Sequence, residues 1–245
     1  MDVILLLGCI QAFFLTALLL SKRGRSLPDS ILAVWLGHIG VHLLVYFLAR
    51  RAIPVSPMIL NLNGVLPLLQ GPYLFLYVAS LVHPDFQFRR WWTIHLLPGL
   101  LYIVLVLHLL AAQDHPPDLS AITVIVNGTI CLSVPLYVAL SLHQIRKHNQ
   151  HLHSYLSSTG GKDLSWLRTI LLGMSVLWVV VIGVNLRQYF HPAHAHGSSH
   201  AIFLILTVFI YAIGYLGIRQ KRIFTDESDD LPIKPMGHTR GSLAE

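Results

Sequence analysis

Charge is scarce in this chain. Asp, Glu, Lys and Arg make up 11% of its 245 residues, against ~25% in an ordinary soluble domain. An aqueous surface cannot be built from so few ionised groups, and a soluble fold of this length is excluded. Carboxylates are absent from every long apolar run, so paired acid–base carboxylates and acidic metal cages are excluded there. Cysteine is down to two, Cys9 and Cys131. Both fall within apolar runs, where a thiol packs as a small hydrophobe, and no disulfide is expected. The sequence contains no G-x-S-x-G, no phosphate-binding P-loop and no H-E-x-x-H. No lysine lies deep in the last run, which removes the attachment point for a retinal Schiff base. An enzyme is not expected, and neither a catalytic residue nor a cofactor is assigned. No Lys or Arg precedes the first apolar run and no small-residue cleavage site follows it, so that run reads as a retained helix and not as a signal peptide.

What the chain does have is apolar length. Seven runs cover Val3–Leu20, Ile31–Ala49, Met58–Val82, Trp91–Ala112, Ala121–Leu142, Leu164–Leu186 and Ala201–Ile218. A helix needs ~20 mainly apolar residues to cross a hydrocarbon layer about 30 Å thick. The expectation is an all-α, polytopic membrane protein with a seven-helix transmembrane bundle.

The basic residues are sorted between the connections. Fourteen of the seventeen lysines and arginines lie in alternate connections beginning with the first, at Lys22, Arg23 and Arg25, then Arg89 and Arg90, then the 143–168 region, then the tail. The other set holds only Arg50, Arg51 and Arg187. Cytoplasmic loops carry the Lys/Arg excess. The sorting predicts an N-terminus outside and a C-terminus in the cytoplasm, as an odd number of crossings requires. The net charge of +6 then belongs to loops facing an anionic lipid leaflet. Membrane lipid is an expected partner. Direct nucleic-acid binding is not, because no basic stripe with interleaved aromatics stands outside the runs.

The third run is the most polar. It carries Asn61, Asn63, Pro67, Gln70, Gly71 and Pro72. Each proline removes a backbone donor and crowds the preceding turn, so a bend is expected at Pro67 and Pro72. Gln70, Tyr73 and Tyr77 share one helical face at i, i+3 and i+7. That face either lines a polar pocket or supplies hydrogen bonds between helices. His38 and His42, at i and i+4 in the second run, also share a face, and His95 opens the fourth. Gln70, Tyr73, Tyr77, His38, His42 and His95 are the expected ligand-binding set.

Fifteen histidines raise a metal alternative. His191, His194, His196 and His200 sit close together in the last outer connection, at separations that can capture Zn²⁺ or Cu²⁺. They can equally be a solvated loop or a pH-responsive one. A histidine-dependent metalloprotein or metal carrier is the second functional reading. Trp91, Trp92 and Trp166 border runs beside arginines and read as interface anchors. Gly214 and Gly217 in the seventh run would let another helix approach, and a homodimer is compatible with them. Residues 1–222 form the bundle. Residues 223–245 are acidic, then rich in Pro, Gly and Ser, and read as a disordered cytoplasmic tail or linker.

Four stretches taken together resemble one bacterial family. GPYLFLYVASL (Gly71–Leu81) is similar to a Gly-Pro-aromatic-aliphatic-Tyr motif in its third helix. HLLPGLLYIV (His95–Val104) resembles a His-x-x-Pro segment in its fourth. DLSWLRTILLGMSVLWVVVI (Asp163–Ile182) resembles a Trp-Leu-Arg opening of its sixth, and GYLGIRQKRIF (Gly214–Phe224) its exit from the seventh. The family is the membrane-bound AraC-type transcription regulators. The resemblance implies a seven-helix sensor in the inner membrane that precedes a cytoplasmic pair of helix-turn-helix motifs. It implies a small-molecule or lipophilic ligand and a DNA-binding output domain as partners. Residues after Phe224 carry no helix-turn-helix pattern, so that output is absent from this chain.

Overall fold

The hydrophobic runs fold into helices whose packing is shown by a computed structural model, which describes residues 2–51, 53–64, 66–83, 86, 90–111, 120–155, 165–190 and 199–219. The elements in order are α1 (Asp2–Ser21), α2 (Leu27–Arg50), α3 (Pro57–Asn63), α4 (Leu66–Val82), a 3₁₀ helix η1 (Arg90–Leu96), α5 (Leu97–Ala111), α6 (Ser120–Tyr155), α7 (Ser165–Phe190) and α8 (Ser199–Arg219). The chain is all-helical, with no strand among the described residues. Among the described residues, four helical stretches are long and apolar enough to cross a membrane: Asp2–Ser21, Leu27–Arg50, Asn127–His148 and Leu167–Arg187. Leu66–Val82, Trp92–Leu105 and Ile202–Leu216 are shorter apolar helices.

Helix α1 packs against α2, α2 against α4, α4 against α6, α6 against α7, α7 against α8, and α8 back against α1. These six helices close a ring. Helices α3, η1 and α5 lie outside it, against α2 and α4. The interior is made of one continuous apolar cluster that includes Leu15, Trp35, Leu36, Leu74, Leu171 and Ile210.

The outside is apolar as well. Leu132 is 75% exposed, Val179 70% and Val104 63%. A helix that is hydrophobic all round suits the core of a large protein or a bilayer. This one has hydrocarbon side chains on both its inner and outer faces, an arrangement compatible with lipid contact.

Small residues set the close approaches. A Cβ built on Gly40 would meet Phe13 Cε1 at 3.1 Å and Ala12 Cβ at 3.3 Å, so α1 and α2 touch nearly backbone to side chain. A Cβ on Gly71 would come within 2.6 Å of Tyr137 Cδ2, which seats the Tyr137 ring of α6 directly on α4. Gly214 is occupied internally: its nearest neighbours are Gln11 and Leu15 of α1. It is not an open face for a second copy.

The α1–α2 pair is fastened at both ends. At one end Ser26 caps α2 in a reciprocal box with Asp29, whose carboxylate also accepts from Lys22 Nζ at 3.1 Å. Both side chains are over nine-tenths buried. At the other end Arg50 and Arg51, from the end of α2, reach Asp2 of α1 at 3.2 and 3.5 Å. Two of the three basic residues that depart from the charge sorting therefore share one local carboxylate.

The third run differs from the single bent helix expected. It is two helices, α3 and α4, parted between Asn63 and Leu66. Pro67 falls in the first turn of α4, where its missing N–H would have had no intrahelical partner. Pro72 lies inside α4, which continues through it.

Candidate functional site

The polar side chains of α2 face the parted third run. Trp35 sits one helical turn before His38 and Ile39, and His42 one turn after His38. The 3.6-residue period stacks them on one side of α2. Each makes one hydrogen bond across to α3 or α4. Trp35 Nε1 donates to Gln70 Oε1 at 2.5 Å. His38 Nε2 donates to the Leu66 carbonyl at 2.9 Å. His42 Nδ1 donates to Asn63 Oδ1 at 3.1 Å. The two imidazoles therefore hold opposite sides of the parting, Asn63 at the end of α3 and Leu66 at the start of α4. In a low-dielectric interior each such bond contributes about 0.6 kcal/mol on average and up to ~1.7.

Aromatic packing completes this interface and carries it onward to α8. The His38 ring meets Tyr73 edge-on at 5.3 Å. Trp35 lies 6.5 Å from Tyr77 on α4 and 6.3 Å from Phe209 on α8. His42 lies 5.0 Å from Phe203, and Tyr46 stacks on the same ring at 3.6 Å. Helix α2 thus stands between the parted run and the last helix, touching both with the same residues.

Five of the six expected ligand-binding residues, His38, His42, Gln70, Tyr73 and Tyr77, lie where α2 faces α3 and α4. His95 does not. It lies beside Phe75 at 5.1 Å and shares a 3.0 Å hydrogen bond with Tyr137 of α6. Trp92 joins that second cluster, 5.9 Å from Phe75 and 4.8 Å from Phe86. Its indole is half-buried against those rings.

Sequence reasoning missed Trp35 and Asn63 as partners. Asn63 is visible as a polar interruption of the third run, but its pairing across 21 residues is not. It also missed two buried polar atoms that have no hydrogen-bond partner, Trp178 Nε1 on α7 and Gln144 Oε1 on α6. An orphaned buried donor or acceptor costs about 1–3 kcal/mol.

Of the histidines proposed for metal, His191, His194 and His196 lie outside the described residues. His200 is in the first turn of α8, and its side chain is not described. Among the described residues no three His, Cys, Asp or Glu side chains gather. His38 and His42 each spend one ring nitrogen on a protein oxygen. Cys9 and Cys131 are free thiols, and Cys9 Sγ lies 3.6 Å from the Gly40 carbonyl.

Comparison with known proteins gives no match: no family model, no curated protein and no solved structure corresponds to this chain.

Proposed function

We propose that this chain is a membrane-embedded sensing module whose last helix passes a signal to the cytoplasm. In this reading seven spans cross the inner membrane of a bacterium, with the N-terminus outside and the C-terminus inside. Helices α3 and α4 together make the third span, and η1 with α5 the fourth. The sorting of Lys and Arg supports the orientation, and the exposed apolar side chains support the lipid contact. The resemblance to membrane-bound AraC-type regulators supports a transcriptional output as the recipient.

The observation that carries the proposal is the position of α2. Its Trp35, His38 and His42 bond to the parted third span, while Trp35 and His42 also touch Phe209 and Phe203 of α8. Three discrete hydrogen bonds form an element that can rest in more than one arrangement. A small lipophilic or polar ligand that competes for any of them favours one arrangement, by no more than its difference in affinity for the two. The change then reaches α8 through rings already in contact with α2, and two sites become coupled.

The test is a fusion. The full chain is joined at its C-terminus to a DNA-binding output and a reporter gene, and Gln70→Leu and Trp35→Phe are compared with the unchanged protein. Loss of one bond worth about 1 kcal/mol shifts a two-state balance roughly fivefold. A basal output moved by that order, at equal protein level in the membrane, supports the proposal. Unchanged output from both variants removes it.

A further inference from the structure

One side of α6 is buried at Ile130, Val134, Val138, Ser141 and Ile145. These positions recur every three or four residues and trace a single line along the helix. Asn127 continues that line, one turn before Ile130, and it is exposed. At the same depth the core is closed on the other side of the ring, where Leu5 of α1, His42 of α2 and Phe203 of α8 are buried. The inward face of α6 therefore opens onto a cleft at the end of the ring that carries Asp2 and Phe190.

Contacts between helices fix that depth. Tyr137 of α6 rests on Gly71 of α4. From there Asn127 and Asn63 stand about 15 Å and about 12 Å up their chains. Asn63 bonds to His42, which lies 5.0 Å from Phe203. Gly8 of α1 lies against Thr207, one turn from Phe203. Phe203 is four residues past the start of α8, and Asn185 is five short of the end of α7. Helix α7 packs against both α6 and α8, so Asn185 is level with Asn127 to within about one turn. Asn185 also continues the buried line of its own helix, beyond Met174, Trp178 and Val181, and is half-buried.

The two amides differ in what they leave unused. Asn185 Nδ2 donates to the Val181 carbonyl at 2.8 Å, which leaves Oδ1 as an acceptor. The Asn127 side chain makes no hydrogen bond among the described residues, so its donor and its acceptor both remain. Packed helices stand about 8–10 Å apart axis to axis, and side chains on the inner faces of a ring converge from there. We propose that this cleft between α6 and α7 binds a neutral polyol of hexose size, apart from the interface of α2 with α3 and α4 and whether or not the bundle signals. One hydroxyl donates to Asn185 Oδ1, and a second, across the molecule, exchanges hydrogen bonds with the Asn127 amide. Every hydroxyl of a polyol both donates and accepts, so both ends of the cleft are served at once. A cation finds no free carboxylate, because Asp2 at this end is shared by Arg50 and Arg51. An anion would face the Asn185 oxygen with its charge uncompensated.

The probe is glucose, with cyclohexane as a ring of similar size that lacks hydroxyls. Protein labelled with ¹⁵N in the side-chain amides of its five asparagines is placed in lipid nanodiscs, which expose both ends of the bundle, and the amide signals are followed by NMR. Asn127→Leu and Asn185→Gln identify the two signals by their disappearance. Glucose is expected to move both in a saturable way with one midpoint, leaving Asn149 at the other end of α6 in place. Cyclohexane is expected to move neither. Asn127→Leu is expected to weaken glucose about fivefold, the effect of one lost hydrogen bond. With Cys9 and Cys131 changed to Ala, Asn127→Cys is expected to react with a charged methanethiosulfonate, and glucose to slow the reaction. The proposal is overturned if glucose moves neither signal, only one of them, or Asn149 equally. Equal glucose affinity in Asn127→Leu and the unchanged protein overturns it too. Should Asn127→Leu not fold, an unreactive Asn127→Cys, or a reaction that glucose leaves unslowed, overturns it.

Discussion

The indole N–H of Trp35 and the side-chain carbonyl of Gln70 form a buried bond between α2 and α4. Gln70→Leu leaves that N–H without a partner, and Trp35→Phe leaves the amide oxygen without one. Each single change should lower stability by about 1–3 kcal/mol. The double variant should lose less than the two together, because neither orphan remains. Unfolding of the four proteins in detergent by a denaturant series gives the coupling. Strict additivity would show that the pair does not act as a bond.

Gly71 and Tyr137 test the packing. Gly71→Ala places a methyl where the Tyr137 ring already lies, and overpacking of this kind costs roughly 1–3 kcal/mol. Pairing it with Tyr137→Ala should recover part of the loss. Gly183→Ala is the control: nothing lies within 4 Å of its Cβ position, and replacing a mid-helix glycine gains up to ~1 kcal/mol of helix propensity. Thermal unfolding of the purified proteins should rank Gly183→Ala at or above the unchanged protein, with Gly71→Ala lowest.

The two ionic fastenings of α1 to α2 should differ in strength. Asp29→Ala removes the Asp29 arm of the capping box and the buried carboxylate that Lys22 meets. The loss should reach about 3–5 kcal/mol, the range for breaking one side of a buried pair. Asp2→Ala removes a partly exposed partner of Arg50 and Arg51, and should cost ~1 kcal/mol or less. The second effect should shrink in high salt while the first persists. Equal losses from both would contradict the burial difference.

Orientation is open to a direct measurement. Reporter domains that work on only one side of the membrane, fused after Arg219 and within residues 112–119, should report opposite sides. The sorting of Lys and Arg predicts the cytoplasm for the first and the exterior for the second. The same side for both would mean an even number of crossings between them and would remove the seven-span reading.

The helices were legible because apolar length and polar punctuation are local signals. The parting at residues 63–66 was not, because Pro67 announces a bend and gives no sign that it will sit in a first turn. Gln70, Tyr73 and Tyr77 were legible as one face from their spacing alone. Their partners were not: Trp35 lies 35 residues from Gln70, and no spacing rule links positions on different helices. His95 shows the same limit from the other direction. It is a histidine like His38 and His42, yet packing turns it toward Tyr137. Trp178 sits within an apolar run that reads as ordinary core, and only its unpartnered indole N–H sets it apart.

In the proposed function, bonds from α2 to α3 and α4 control where α8 stands. Spin labels at Leu60 on α3 and Tyr215 on α8, both exposed positions, report the distance between those helices in nanodiscs by double electron–electron resonance. Gln70→Leu should shift or broaden the distance distribution relative to the unchanged protein while helix content stays the same. An identical distribution in the folded variant would contradict the claim.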